Sequence, residues 1–180
     1  VNKMDREGKY PFDLLDELEE KLKIKVRPLS WPISVGSTFK GVYNLFDKSL
    51  YAFTPGSDKK PDGVAITDLN DPKIDQLAGQ YATQLREDVD LIEGVYGEFD
   101  RSTYLSAEVA PVFFGSAINN FGVKEMLDTF IEIAPYPGTR PTDKREVIPT
   151  ENKFSGFVFK IHANLDPRHR DRIAFLRVCS

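Results

Sequence analysis

With 180 residues, 41% of them hydrophobic and 29% charged, the chain has apolar side chain enough for one good core or two small ones and too much charge for a membrane-embedded or disordered chain. No apolar run approaches the ~20 residues of a membrane helix and no basic-then-apolar signal opens the sequence, so the expectation is a soluble, cytoplasmic protein with no membrane partner. The net charge of -4 gives no overall attraction to nucleic acid, and the single cysteine, Cys179, excludes an internal disulfide and stands in no metal-binding spacing.

The sequence runs from Val1 directly into Asn2-Lys3-Met4-Asp5 and reads as an internal piece of a longer chain. These residues fit the Asn-Lys-x-Asp pattern that reads guanine. Guanine presents an N1–H and an exocyclic amine side by side, and one carboxylate, Asp5, can accept from both, whereas adenine has no such donor pair. The stem of Lys3 can lie over the purine face, and Asn2 can donate and accept to tie neighbouring loops together. Asp5-Arg6-Glu7-Gly8 also fits an Asp-x-x-Gly magnesium motif, but no switch-like sequence surrounds it and the match is read as accidental.

Phe12, Leu15, Leu18 and Leu22 recur at helical spacing and predict an amphipathic helix over Pro11–Lys23, with the proline in its first turn. Val26–Val35 is interrupted by Pro28 and Pro32, and Trp31 is expected to be a packing anchor. Two short strands, Lys40–Phe46 and Leu50–Thr54, are expected to turn at Asp47–Ser49. A polar loop, Pro55–Gly63, precedes a further strand at Val64–Asp68. From Asp71-Pro72 one long helix is expected, its stripe of Ile74, Leu77, Ala78, Tyr81, Leu85, Val89 and Ile92 ending near Gly94. A shorter helix is expected around Phe99–Val109.

Ala110–Phe114 is a continuous apolar run of the kind buried in a parallel sheet. It leads into Gly115-Ser116-Ala117-Ile118 and then a helix carrying Val123, Met126, Leu127, Phe130 and Ile131. The loop thus lies at the carboxyl end of a strand, where ligands bind in open α/β sheets. That context promotes Ser116-Ala117, whose N–H groups can face guanine O6, over the same dipeptide at Ser106-Ala107 inside a helical stretch. No segment fits the phosphate-cradling Gly-x-x-x-x-Gly-Lys-Ser/Thr pattern, so no catalytic residue and no metal ligand is assigned.

Ala134–Asn152 has the proline-rich, aperiodic composition of a linker. Beyond it, Phe154–Ala163 and Ile173–Ser180 are strand-prone runs flanking a basic turn with Arg168, Arg170 and Arg172, which can meet RNA phosphates or simply be solvated. His162 and His169 are too isolated for a metal or a catalytic base.

Together, Asn2–Gly8 with the Leu-Leu-Asp-Glu-Leu-Glu helix, Ser30-Trp-Pro-Ile33, Phe39-Lys-Gly-Val-Tyr43, Pro111–Ala117 and Phe154–Ile161 running on to Asp166–Arg177 resemble the peptide chain release factor 3 family, the class II release factors. Elongation factor G and the ribosomal protection proteins share the Asn-Lys-Met-Asp-Arg and Phe-Lys-Gly-Val portions; the Trp-Pro segment and the His-Arg-Asp-Arg turn favour the release factors. The resemblance implies an α/β fold: residues 1–140 as the C-terminal half of a P-loop GTPase domain with an inserted α+β subdomain over about Pro32–Val109, a linker over 141–152, and the start of a translation-factor β-barrel over 153–180. It assigns Asn2, Lys3 and Asp5 to guanine specificity, and Ser116, Ala117 and Ile118 to the last guanine loop. It further implies GTP or GDP as ligand, with magnesium held by segments outside this sequence, and the ribosome and class I release factors as partners. The parent would be a ribosome-dependent GTPase of translation termination. An elongation factor G-like GTPase and a non-catalytic ribosome-binding module stay open as alternatives, and whether this stretch is itself an enzyme is left undecided.

Overall fold

The computed structural model describes residues 1–55, 62–163, 168 and 171–180. Pro11, which has no N–H to lose at a helix start, opens helix α1, Pro11–Leu22. The helix stops where Lys23 turns left-handed (φ 55°) and its N–H returns to the Glu19 carbonyl. Its apolar stripe buries Leu15 and sets Phe12 4.4 Å from the Trp31 ring.

Two sheets follow. Strand β1, Lys25–Pro28, pairs in parallel with β6, Val109–Val112, in the register Val26 to Ala110. Between them in sequence, β2 (Ser30–Ile33), β3 (Gly41–Asn44), β4 (Ser49–Ala52) and β5 (Val64–Ala65) form an antiparallel sheet in the order β2-β3-β4-β5. Pro28 and Pro32, expected to interrupt a strand, lie within β1 and β2. Both strands end the order of their sheets, where a proline's missing N–H removes no ladder bond. The β3–β4 turn falls where expected: Asn44 Oδ1 accepts from the N–H groups of Phe46 and Asp47 at 2.9 and 3.3 Å. The strand expected over Val64–Asp68 is only two residues long.

The long helix expected from Asp71 to Gly94 is broken. Asp71 caps α2, Pro72–Ala78, by accepting from the Lys73 N–H at 2.9 Å. Gly79 then takes φ 58°, a 3-10 turn spans Gly79–Tyr81, and α3 runs over Ala82–Tyr96. Ile74, Ala78, Ala82, Leu85, Val89 and Ile92 remain on one buried stripe across the break. Helix α4, Arg101–Leu105, is shorter than the Phe99–Val109 expected, because Ala107 turns left-handed (φ 62°) and Val109 already belongs to β6. Helix α5, Val123–Ile133, ends against Arg101, whose guanidinium donates to the Ile133 and Ala134 carbonyls at 2.9 and 3.0 Å, satisfying groups that a helix end leaves orphaned.

The chain divides into two compact units, Val1–Ala134 and Pro135–Ser180. The core of the first centres on Trp31, which is fully buried with its ring 5.3 Å from that of Phe114, as its reading as an anchor required. In the second, the stretch read as a linker carries a minimal hairpin, β7 (Arg140–Pro141) with β8 (Glu146–Val147). The expected strand pair is present as β9, Gly156–Ala163, antiparallel to β10, Arg172–Val178, with a bulge between Phe175 and Leu176. Phe157, Val158, Phe159, Ile161, Ile173 and Phe175 on this pair are all exposed. Cys179 lies just past β10, its N–H donating to the Ser155 carbonyl at 2.8 Å. Of the basic turn, Arg168 and Arg172 are described, while His169 and Arg170 lie outside the described residues.

Candidate functional site

Beyond β6 the chain continues in extended form, and Val1 lies beside it: Gly115 N–H donates to the Val1 carbonyl and Met4 N–H to the Gly115 carbonyl, each at 3.1 Å. This ladder brings two loops together that are more than a hundred residues apart in sequence. Asn2 joins them directly. Its side-chain Oδ1 accepts from the Lys3 N–H at 2.7 Å and from the Ala117 N–H at 2.8 Å, so it fixes its own turn and the second loop at once. This is the tying role its amide suggested in the sequence.

The turn itself is tight. Lys3 adopts φ 70°, a left-handed conformation that a residue with a Cβ holds only when its surroundings impose it, and its carbonyl accepts from Arg6 N–H at 3.0 Å. Met4 is buried beneath the turn and Lys3 is exposed above it. Asp5, at the third position of the turn, is half-buried, and its Oδ1 is fully buried with no hydrogen-bond partner. An unsatisfied buried acceptor of this kind is unfavourable by roughly 1–3 kcal/mol, more for a charged group, and a donor from a ligand or water would relieve it; Arg27 Nε and Asn44 Nδ2 are buried without a partner in the same way.

The second loop is built round Ser116, which is fully buried. Its N–H donates to the Phe121 carbonyl at 3.0 Å, its carbonyl accepts from the N–H groups of Phe121 and Asn119, and its Oγ accepts from Asn119 Nδ2 at 2.8 Å. The loop closes on itself so tightly that two glycines are required. A Cβ on Gly115 would stand 2.5 Å from the Phe121 carbonyl oxygen; one on Gly122, at φ 77°, would stand 2.8 Å from that of Phe114. Ala117 and Ile118 are exposed on the rim. The sequence reading aimed the N–H groups of Ser116 and Ala117 at guanine O6; here the first is engaged by Phe121 and the second by Asn2.

Sequence reasoning missed a third contributor. The connection from β2 to β3 reaches the Asn2–Asp5 turn: Gly36 N–H donates to the Met4 carbonyl at 2.8 Å and Ser37 N–H to Glu7 Oε1 at 3.3 Å. Only the glycine in Val35-Gly36-Ser37 signals it, and in sequence that reads as an ordinary loop. Also unforeseen is Asp88 on α3, a buried carboxylate accepting from Tyr10 Oη at 2.9 Å, Trp31 Nε1 at 2.8 Å and Gln84 Nε2 at 2.8 Å. Burial, then the bond to Asp88, pushes the Tyr10 hydroxyl up to about 12. Among the described residues no group of three or more His, Cys, Asp or Glu is placed to hold a metal ion, and no helix is long and apolar enough to cross a membrane.

A parallel strand pair feeding a helix, with an antiparallel sheet beside it and two loops meeting at the strand ends, is a mixed α/β arrangement consistent with part of a translational GTPase. The chain is 52% identical over its whole length to the peptide chain release factor 3 of Nitrosomonas eutropha. It spans 34% of the length of that relative, as an internal piece would. No family model matches the chain.

Proposed function

We propose that this chain supplies the guanine-reading half of a nucleotide site in a translation termination factor of the release factor 3 kind. The observation that carries the reading is the buried Asp5 Oδ1 without a donor, set in the turn that Asn2 fastens to Ala117. The paired donors on one edge of guanine fit an acceptor of this kind, and the left-handed turn at Lys3 leaves that side chain exposed to cover the base face. Ile118 lies next along the exposed rim. The residues therefore fit GTP or GDP on the base side, and phosphate and magnesium chemistry belongs to segments outside this sequence.

On this reading the parent protein is a GTPase that works on the ribosome and uses its nucleotide cycle to release class I release factors. Arg168, Arg170 and Arg172 would contact ribosomal RNA through phosphates, which positions the factor without reading sequence. The test is turnover by the full-length protein, with and without ribosomes, and the rate at which it displaces a class I factor from ribosomes after peptide release. Ribosome-stimulated hydrolysis of GTP but not ATP, with faster displacement, is expected; hydrolysis indifferent to ribosomes and to the base would overturn the reading.

A further inference from the structure

We infer that Gly36 and Glu7 are positioning residues for base recognition, through which the β2–β3 connection sets the place of the Asp5 carboxylate. The inference rests on the guanine-reading role proposed above. The turn that carries Asp5 is short, so its place in space is fixed by what holds Met4. One hold is the Gly115 carbonyl, which accepts from Met4 N–H at 3.1 Å; the other is the Gly36 N–H, which donates to the Met4 carbonyl at 2.8 Å. The first comes from the loop after β6 and the second from the connection between β2 and β3. Met4 is therefore held through the peptide units on either side of its Cα by different parts of the fold.

Three features show how closely the second grip is fitted. Gly36 adopts φ 69°, a conformation natural to glycine. A Cβ built there would stand 2.3 Å from Glu7 Oε1 and 2.6 Å from the Glu7 carboxyl carbon, so a side chain at this position displaces the Glu7 carboxylate from Ser37. Glu7 Oε1 in turn accepts from Ser37 N–H at 3.3 Å, so the residue two beyond Asp5 is held by the same loop. Glu7 is exposed and sits in no core, so replacing it leaves the packed interior intact. The loop that joins β2 to β3 thus contacts both the residue before Asp5 and the residue two beyond it.

Reading guanine needs two simultaneous bonds to one carboxylate, which demands more accurate placement than one bond does. Inosine diphosphate, which lacks the exocyclic amine, uses only one. The ratio of GDP to IDP affinity in the full-length protein therefore reports the position of Asp5 apart from overall stability. Calorimetry on the unmodified protein is expected to show a preference for GDP of about tenfold or more, the effect of one bond to a charged acceptor. Gly36→Ala, which strains the backbone at φ 69° and displaces the Glu7 carboxylate, is expected to lower that ratio about tenfold, and Gly36→Ala with Glu7→Ala to stay as low, since the backbone strain remains. Glu7→Ala alone is expected to lower the ratio about threefold, while Glu7→Gln, which keeps the acceptor for Ser37, leaves it unchanged.

If the unmodified protein does not prefer GDP, the guanine-reading role itself fails. If it does, and folded Gly36→Ala and Glu7→Ala keep the full ratio, the positioning role is overturned. Should Gly36→Ala fail to fold, the exposed Glu7 pair of variants decides the matter by itself.

Discussion

Asp5 and Asp88 are both acidic residues in a chain with 28 of them, and nothing in their immediate neighbours marks them equally. The turn at Asn2–Asp5 was legible because it is local: Asn, Lys and Asp at fixed spacing lie in one turn, closed by the Arg6 N–H on the Lys3 carbonyl. Asp88 was hidden because its partners, Tyr10 and Trp31, arrive from elements 78 and 57 residues away. On a helical wheel it is simply a polar residue between apolar ones. Its weight is testable. Replacing Asp88 with Ala leaves the Trp31 Nε1–H buried without an acceptor, and a loss of about 2–4 kcal/mol in unfolding free energy is expected. Trp31 is the only tryptophan, so urea denaturation followed by its fluorescence reports this unit directly. A change within experimental error would mean that the network is solvated rather than structural.

At the scale of elements, periodicity placed α1, α5 and the stripe that α2 and α3 share, but it did not show where that stripe breaks. The α2–α3 stripe keeps helical spacing through Gly79, so no count of apolar residues can detect that the backbone there leaves the helical region. Pro28 and Pro32 misled in the opposite direction, because a sequence does not say which strand will be an edge. The loop after β6 was legible as a strand-to-helix turn, yet the reason for its glycines was not. Gly122→Ala would place a Cβ 2.8 Å from the Phe114 carbonyl oxygen at a φ of 77°. A loss of roughly 1–3 kcal/mol is expected, with a fall in guanine-nucleotide affinity as the Ser116–Phe121 closure opens. A thermal scan and a nucleotide titration on the same variant check both; unchanged values would show that the closure is dispensable.

For the whole molecule, one charge-linked part of the stability lies at high pH. Burial, as the leading cause, raises Tyr10 and Tyr43 from 10.0 to about 12 and pushes Tyr51 up as well. Each folded tyrosine keeps its proton where the unfolded chain has begun to lose it. Their contribution is therefore complete below pH 10 and is lost as pH rises toward 12. The urea midpoint is expected to fall steadily from pH 9.5 to pH 11.5 as tyrosinate absorbance grows; a midpoint flat across that interval would contradict the burial of these hydroxyls. What composition alone conveyed at this scale was an apolar fraction sufficient for a core. It did not convey that the core lies in Val1–Ala134 while the β9–β10 pair leaves its aromatic residues exposed, since the same strand pattern is written whether or not a strand is covered.

Guanine recognition by this site depends on the carboxylate of Asp5. The most direct measurement is the affinity of the full-length protein and its Asp5→Asn variant for GDP and for xanthosine diphosphate, whose oxygen replaces the guanine amine. Asn offers a donor where Asp offers an acceptor, so the variant is expected to lose GDP affinity by a factor of about ten or more and to gain xanthosine diphosphate affinity by a similar factor. An Asp5→Asn protein that binds GDP as the unmodified one does, and ignores the xanthine nucleotide, would contradict it.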